Sequence, residues 1–298
     1  MNVQMKRYDI LSEFGAVYDF LDRQYDPVHL NGYLLPEFWE YAHYHNYFDY
    51  HHSHRMGIWR DETEIVGLSV YEMELGHAFI SAAAGYEWLW PELLDWAERE
   101  ISVSTDDDDG KKKLQVWTTN MEITKRKFLE SRGYGCVYRE PVKIYRYPPE
   151  LPQRLLPAGF HLITGDQVDR VKLSECYWRG FNHEGPLPAK EADSSAKYLT
   201  APHARNELTT VVVAPNGEYA AALGMWVNQE HHYAYLEPLA TVPEYRQKGL
   251  AAAALMDAML RTQPLGATEC FGGGNEFYTR LGFEHTCDRE LWERIWVA

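Results

Sequence analysis

Several features are scarce in this 298-residue chain, and each scarcity excludes something. The four cysteines (Cys136, Cys176, Cys270 and Cys287) are scattered without a Cys-x-x-Cys pair. Neither a disulfide framework nor a thiolate metal knuckle is therefore expected, and the four read as reduced thiols. Lysine and arginine number 29 against 44 aspartates and glutamates, for a formal net charge of -15. Phosphate backbones and anionic membrane surfaces select basic faces, so no nucleic acid and no membrane is expected as a partner. No apolar run approaches the roughly 20 residues that cross a bilayer. Residues 1–6 carry no apolar stretch behind their charge, so no secretory leader is expected and the protein reads as cytoplasmic.

What is present suits packed cores: 45% of residues are hydrophobic and 14% aromatic. The length allows two domains. The clearest break is Tyr147-Pro148-Pro149-Glu150-Leu151-Pro152. Proline interrupts both helix and sheet, so this stretch reads as a linker between domains at 1–150 and 151–298. In the second half, residues 160–164 read as a strand. Asp166 is then expected to cap a helix running to about residue 180, and a second helix includes 194–199. Strands are expected at 208–214, 219–227 and 232–242, the first two joined by the hairpin signal Pro215-Asn216-Gly217. An alanine-rich helix over 249–261, a strand at 267–271, a helix at 275–281 and strands at 283–287 and 291–297 complete the order.

The first half gives a similar order. Helices are expected at 10–24, 36–47, 88–101 and 123–131. Strands are expected at 57–60, 64–71, 77–83, 114–118, 134–138 and 142–145. Both halves end on a helix closed by glycine and followed by an aromatic strand residue: Ser131-Arg132-Gly133-Tyr134 and Arg280-Leu281-Gly282-Phe283. The chain thus reads as two copies of one fold. The tract Asp106-Asp107-Asp108-Asp109-Gly110-Lys111-Lys112-Lys113 reads as a solvated loop in the first copy.

The segment richest in chemistry is Glu237-Pro238-Leu239-Ala240-Thr241-Val242-Pro243-Glu244-Tyr245-Arg246-Gln247-Lys248-Gly249-Leu250-Ala251. It is an apolar strand, a tight turn ending in Arg-x-x-Gly-x-Ala, and the start of a strong helix. Small residues at 249 and 251 let a ligand approach the backbone closely. The first helical turn offers N–H groups without intrahelical partners and the positive end of the dipole, which suits a pyrophosphate. Pro238 cannot donate to a ladder, so it belongs at a bulge or where neighbouring strands part.

This segment resembles the acyl-CoA-binding motif of the GCN5-related N-acetyltransferases, (Gln/Arg)-x-x-Gly-x-(Gly/Ala), filled here by Arg246, Gly249 and Ala251. A second family signature is Asn275-Glu276-Phe277-Tyr278 followed by Leu281-Gly282-Phe283. The resemblance covers roughly residues 158–298. It implies an α/β (α+β) architecture of two tandem folds, each a mixed, mostly antiparallel sheet flanked by helices. It also implies acyl-CoA, acetyl-CoA by expectation, as donor, with no metal. Backbone N–H groups of Gln247, Lys248, Gly249, Leu250 and Ala251 would hold the pyrophosphate, with Arg246 in the motif. Leu239, Ala240 and Thr241 would pair with the pantetheine arm. Tyr278 matches the tyrosine that protonates the departing thiolate. Asn275 reads either as a contact to the cofactor arm or as a helix cap.

An amine attacks a thioester only when neutral, so a group must accept its proton. Glu237 reads either as that base or as a solvent-facing strand carboxylate. No cysteine sits in these motifs, which favours direct transfer. The acceptor class is a small-molecule amine or a peptide amine, and the chain is expected to be a monomer or homodimer. A CoA-binding sensor without turnover is the alternative.

The first copy has Ala83-Ala84-Gly85-Tyr86-Glu87-Trp88-Leu89-Trp90 where the motif belongs. Bulky residues there block close backbone approach, so this copy is expected to be degenerate and not to bind CoA. This pairing resembles the tandem members of the family. His43, His45, His51, His52 and His54 crowd one segment without an established zinc spacing, and read as a polar face rather than a metal site.

Overall fold

The computed structural model describes residues 2–105, 110–192 and 194–297. The chain divides into two compact units. Unit 1 comprises Met1–His43, Tyr47–Val142 and Cys287–Ala298, and unit 2 comprises Tyr44–Asn46 and Lys143–Thr286. The division thus lies ahead of the proline-rich stretch, and the last strand of the chain belongs with the first unit.

The first part of the chain runs β1 (Val3–Arg7), α1 (Ile10–Arg23), α2 (Pro36–His43), β2 (Gly57–Asp61), β3 (Glu64–Tyr71), β4 (His77–Ala82), α3 (Trp90–Trp96), β5 (Val103–Ser104), β6 (Lys111–Thr119), α4 (Ile123–Ser131) and β7 (Gly135–Arg146). The second runs β8 (His161–Thr164), α5 (Arg170–Gly180), β9 (Thr210–Val213), β10 (Tyr219–Asn228), β11 (Tyr233–Thr241), α6 (Leu250–Thr262), β12 (Glu269–Gly272), α7 (Glu276–Arg280) and β13 (Glu284–Val297).

The departures from the sequence reading have physical causes. Strand β1 carries no apolar alternation, because four of its five residues are exposed. Helix α5 is capped by Asp169, whose carboxylate accepts from the N–H groups of Val171 and Lys172. Asp166 lies instead in a short turn before it. Residues 194–200 form a tight 3-10 turn rather than an α-helix. Residues 106–109 of the charged tract lie outside the described residues, but Lys111, Lys112 and Lys113 begin β6 instead of continuing a loop. Their backbone pairs with Val297, Trp296 and Ile295.

β7 and β13 are each one strand where two were expected, because charged residues at their centres read as breaks. In β13, Glu290 is fully buried and ion-paired with Arg126 and Arg139. Arg289 lies 3.7 Å from the centre of the Trp117 ring and pairs with Glu72 and Glu140. Paired charges can stay inside a strand where isolated ones could not.

Each unit builds the same sheet. In unit 1 the order is β1-β2-β3-β4-β6-β13, antiparallel except for β4 beside β6. Unit 2 has β8-β9-β10-β11-β12-β7, antiparallel except for β11 beside β12. The sixth strands are exchanged along the chain. Residues 289–297 of β13 complete the sheet of unit 1, while residues 143–146 of β7 complete that of unit 2. Helix α6 covers the unit 2 sheet, packing Leu255, Met256, Ala258 and Met259 against Leu223, Met225, Leu236 and Cys270. Each buried leucine or methionine among them contributes about 1.5–3 kcal/mol.

Candidate active site

The site of unit 2 begins with an irregularity in β11. Leu223 pairs with Leu239 and Met225 with Leu236, so Glu237 and Pro238 together face the single residue Gly224. That two-against-one pairing is a β-bulge, and it accommodates a proline that a regular ladder would reject. A Cβ on Gly224 would lie 2.5 Å from the Glu237 carbonyl oxygen and 2.9 Å from Pro238 Cδ. The Trp226 indole N–H donates to the same carbonyl at 3.0 Å. The Glu237–Pro238 peptide is cis.

On its other edge β11 pairs in parallel with β12 only through Tyr233, Ala234 and Tyr235. Beyond Tyr235 the two strands part. The opening between them is a cleft of about 770 Å³. Leu239, Ala240, Thr241, Arg246, Gln247, Gly249, Leu250, Ala251 and Asn275 all line it.

The turn above the strand is held from below. The Arg246 side chain donates to the Thr241 carbonyl at 3.0 Å, and to the Gly180 carbonyl and Asn182 Oδ1 at 2.8 Å each. Its guanidinium therefore braces the turn against α5. Gly180 is required for that approach, since a Cβ there would sit 2.6 Å from Ala240 Cβ. Gln247 and Gly249 adopt left-handed backbone, at φ 63° and 76°. Gly249 starts α6 without a side-chain cap. The first N–H groups of α6 have no acceptor inside the helix, and their residues form the cleft wall. The Lys248 ammonium turns back to the Glu244 carbonyl at 3.1 Å and lies 5.0 Å from the centre of the Tyr245 ring, and Lys248 is not among the lining residues.

The opposite wall is α7. Asn275 caps it, its Oδ1 accepting from the Phe277 N–H at 3.0 Å, and it also lines the cleft. Lys143 fixes the start of α7 through the carbonyls of Gly274 and Asn275 and the Thr279 hydroxyl. Tyr278 is buried below the cleft rather than lining it, its ring against Gly272 and Gly273. A Cβ on either glycine would fall within 2.9 Å of that ring. Burial, reinforced by the Glu237 carboxylate, raises the Tyr278 pKa above the ordinary phenol value, while a backbone hydrogen bond at Gly273 opposes the rise. The phenol therefore stays protonated at neutral pH and feels the charge of Glu237.

Motif reading missed the other cations of the cleft. Arg154 and Arg280 line it, so a chain of net charge -15 presents arginines there. Arg154 comes from the proline-rich stretch, where nothing in the local pattern marks it. Gly224, inside an otherwise apolar strand, was the legible signal for the bulge.

A sequence model of the acetyltransferase (GNAT) family matches residues 171–283, which takes in the bulge, the turn, α6 and α7. Residues 171–283 thus carry the sequence pattern of the GNAT acetyltransferase family. No curated protein matches it in sequence. Solved structures match it along its length. A GCN5-related N-acetyltransferase from Sphaerobacter thermophilus is 13% identical with a TM-score of 0.62, covering 98% of this chain and 95% of its own. A tandem GNAT protein from the clavulanic acid biosynthesis pathway is also 13% identical, with a TM-score of 0.64 over 99% and 98%. The N-myristoyltransferase of Saccharomyces cerevisiae is 12% identical, with a TM-score of 0.57 over 98% and 79%. These likenesses establish the fold as that of tandem GNAT proteins.

The two GNAT folds differ where chemistry would matter. In unit 2 the Phe283 N–H donates to the Tyr278 carbonyl at 3.0 Å, and in unit 1 the Tyr134 N–H donates to the Leu129 carbonyl at 3.1 Å. The same glycine-closed cap thus places Leu129 where unit 2 has Tyr278. The histidine-rich segment is committed to packing and local bonds. His43 is buried between the Tyr8 hydroxyl and the Trp39 carbonyl, each at 2.9 Å, and burial pushes its pKa down to about 3. His52 pairs with Asp49 at 2.6 Å. Among the described residues no group of three or more His, Cys, Asp or Glu is placed to hold a metal ion. No helix among them is long and apolar enough to cross a membrane.

Proposed function

We propose that unit 2 transfers an acyl group, acetyl foremost, from acyl-CoA directly to an amine. The observation that carries this reading is the cleft itself. The parted edge of β11, the left-handed turn and the start of α6 converge on one opening of a size for a cofactor arm. In this reading, backbone groups of Leu239, Ala240 and Thr241 pair with the pantetheine arm. The N–H groups of Gln247, Lys248, Gly249, Leu250 and Ala251 receive the pyrophosphate. Arg154 and Arg280 add positive charge. Arg246 acts through the turn, which it braces. Asn275 orients the opposite wall as the cap of α7.

The chemistry needs one bond made and one broken. The amine nitrogen attacks the thioester carbonyl, the new C–N bond forms, and the C–S bond cleaves. Glu237, on the bulge, takes the proton that the amine loses, and Tyr278 supplies a proton to the departing thiolate. A phenol held protonated by burial and by Glu237 suits that task. Cys176 and Cys270 are buried, and burial raises both thiols, Cys176 to about 12, which supports direct transfer over a thioester on the protein. Unit 1 has Leu129 in place of the tyrosine and serves as a partner fold that does not bind CoA. The acceptor is a small-molecule or peptide amine.

The test is thiol release from acetyl-CoA in the presence of a panel of primary amines, with the Tyr278→Phe variant beside it. Amine-dependent release that falls in the variant while acetyl-CoA affinity holds supports catalysis. Tight acetyl-CoA binding with no release on any amine would favour a sensor.

A further inference from the structure

Unit 1 contains a second cleft, of about 750 Å³, in the same place in its own sheet. Its parallel pair, β4 and β6, is joined only at His77–Gln115 and Ala78–Val116, after which the strands part. Ser81 and Ala82 on one side, and Met121 through Lys125 at the start of α4 on the other, form its walls. The opening that would hold a cofactor arm has therefore persisted, at nearly the size of the cleft in unit 2.

Its charge is reversed. The cleft of unit 2 is lined by Arg154, Arg246 and Arg280 against a single carboxylate, Glu276, which pairs with Arg280 at 2.8 Å and leaves the other two arginines in excess. That of unit 1 has Arg23 and Lys125, and both are already paired. Arg23 meets Glu64 at 3.2 Å. Lys125, almost fully buried, meets Glu122 at 2.5 Å. Asp26 and Glu87 remain, neither ion-paired with a lysine or arginine among the described residues. Asp26 accepts backbone N–H bonds from Val28 and His29 and lies 3.6 Å from the His29 ring, and Glu87 accepts the Gly85 N–H. A polyphosphate would meet uncompensated carboxylates here, whereas an ammonium would meet partners.

The rim is apolar and wet. Met121 and Ile123 line the cleft and are 41% and 58% exposed. Large apolar side chains gathered around an opening mark a binding groove more often than a bare surface. Beside them Leu30, Asn31, Gly32 and Tyr33 are four consecutive residues in left-handed backbone, pressed so close that a Cβ on Gly32 would lie 2.9 Å from Glu122 Oε2. Such a turn is strained at its non-glycine residues and persists only where its surroundings hold it.

The geometry points to a second ligand site in unit 1 for a small amphipathic amine that carries no phosphate. Its ammonium sits between Asp26 and Glu87, and its apolar part lies against Met121 and Ile123. The site is distinct from the cleft of unit 2 and does not depend on catalysis there.

Calorimetric titration with phenethylamine tests this, in the presence of saturating CoA, which fills the cleft of unit 2 without permitting turnover. Phenethyl alcohol serves as the uncharged counterpart, and the variants are Glu87→Gln and Ile123→Ala, both at exposed positions that leave the core intact. The expected result is phenethylamine binding at least about tenfold weaker in either variant and at least about tenfold weaker for the alcohol. No binding of phenethylamine, equal binding of the alcohol, or affinity unchanged in both variants would overturn the site. So would a second equivalent of CoA per chain that either variant removes. Amine acetylation by unit 2 should survive both substitutions, so failure of one assignment leaves the other standing.

Discussion

Gly224 and Glu237 face each other across the bulge so closely that the carbonyl oxygen of Glu237 occupies the space a Cβ at 224 would need, 2.5 Å away. The bulge is where β11 presents its unpaired edge, so this contact sets the backbone of the proposed acyl site. A Gly224→Ala substitution must displace Glu237 or the strand. The expected cost is about 1–3 kcal/mol of stability, with amine acetylation reduced by about tenfold or more. Thermal unfolding and steady-state kinetics on the same preparation check both parts.

Tyr278 is the phenol that unit 1 replaces with Leu129. Tyr278→Phe keeps the ring seated against Gly272 and Gly273 and removes only the hydroxyl. The expected outcome is a loss of kcat of about 100-fold with acetyl-CoA affinity unchanged. Because the Tyr278 pKa is raised, its neutral form is the one favoured in the fold. The ratio of wild-type to variant rates should therefore be flat from about pH 6 to 9. A ratio near one throughout would remove the tyrosine from the mechanism, and one that collapses as pH rises within that range would contradict the raised pKa.

His43 makes the stability of unit 1 sensitive to acid. Its Nδ1–H donates to the Trp39 carbonyl, so Nε2 accepts from the Tyr8 hydroxyl and the ring is neutral. Burial lowers its pKa from 6.5 to about 3. Between those values the unfolded chain binds a proton that the folded chain does not, so stability is full above pH 6.5 and falls as pH drops toward 3. His45, in unit 2 and lowered to about 4 by burial with Glu191 opposing, gives that unit the same sign. A His43→Gln variant should be less stable at neutral pH and lose less on going to about pH 5, as read from melting temperatures at the two pH values.

Removing the last strand should damage the unit that is distant in sequence. Residues 289–297 pair along the whole of β6, and Leu291 and Trp292 are buried there. The cleft residues of unit 2 all precede Thr286. A chain ending at Thr286 is expected to expose the β6 edge and lose the cooperative melting of unit 1, with aggregation through that edge. Hydrogen exchange by mass spectrometry would locate the loss in β2–β6. Unchanged protection there would show that the exchanged strand is dispensable.

Much of this was legible in the sequence because the signals are local. Alanine-rich α6, the glycine caps at Gly133 and Gly282, and Pro238 each require one backbone geometry, and each adopts it. The turn with Arg246, Gly249 and Ala251 likewise sits at the mouth of the cleft. What escaped depends on partners far along the chain. Glu290 and Arg289 interrupt β13 by pattern, yet pair with Arg126 and Arg139 and with Glu72 and Glu140. No window around Arg154 announces that it will reach the cleft, and nothing at 287–297 says which sheet it will join. Arg246 shows the other limit: the motif marks the position, but its side chain braces the turn, which only the bonds to Gly180 and Asn182 reveal.

Unit 2 is expected to hold one acyl-CoA between the parted edge of β11 and the start of α6. Calorimetric titration with acetyl-CoA, beside an Ala251→Trp variant that fills the cleft from the first turn of α6, tests it most directly. The expected result is one equivalent bound per chain and none in the variant. Binding that survives the substitution, or no binding to the wild-type chain, would contradict it.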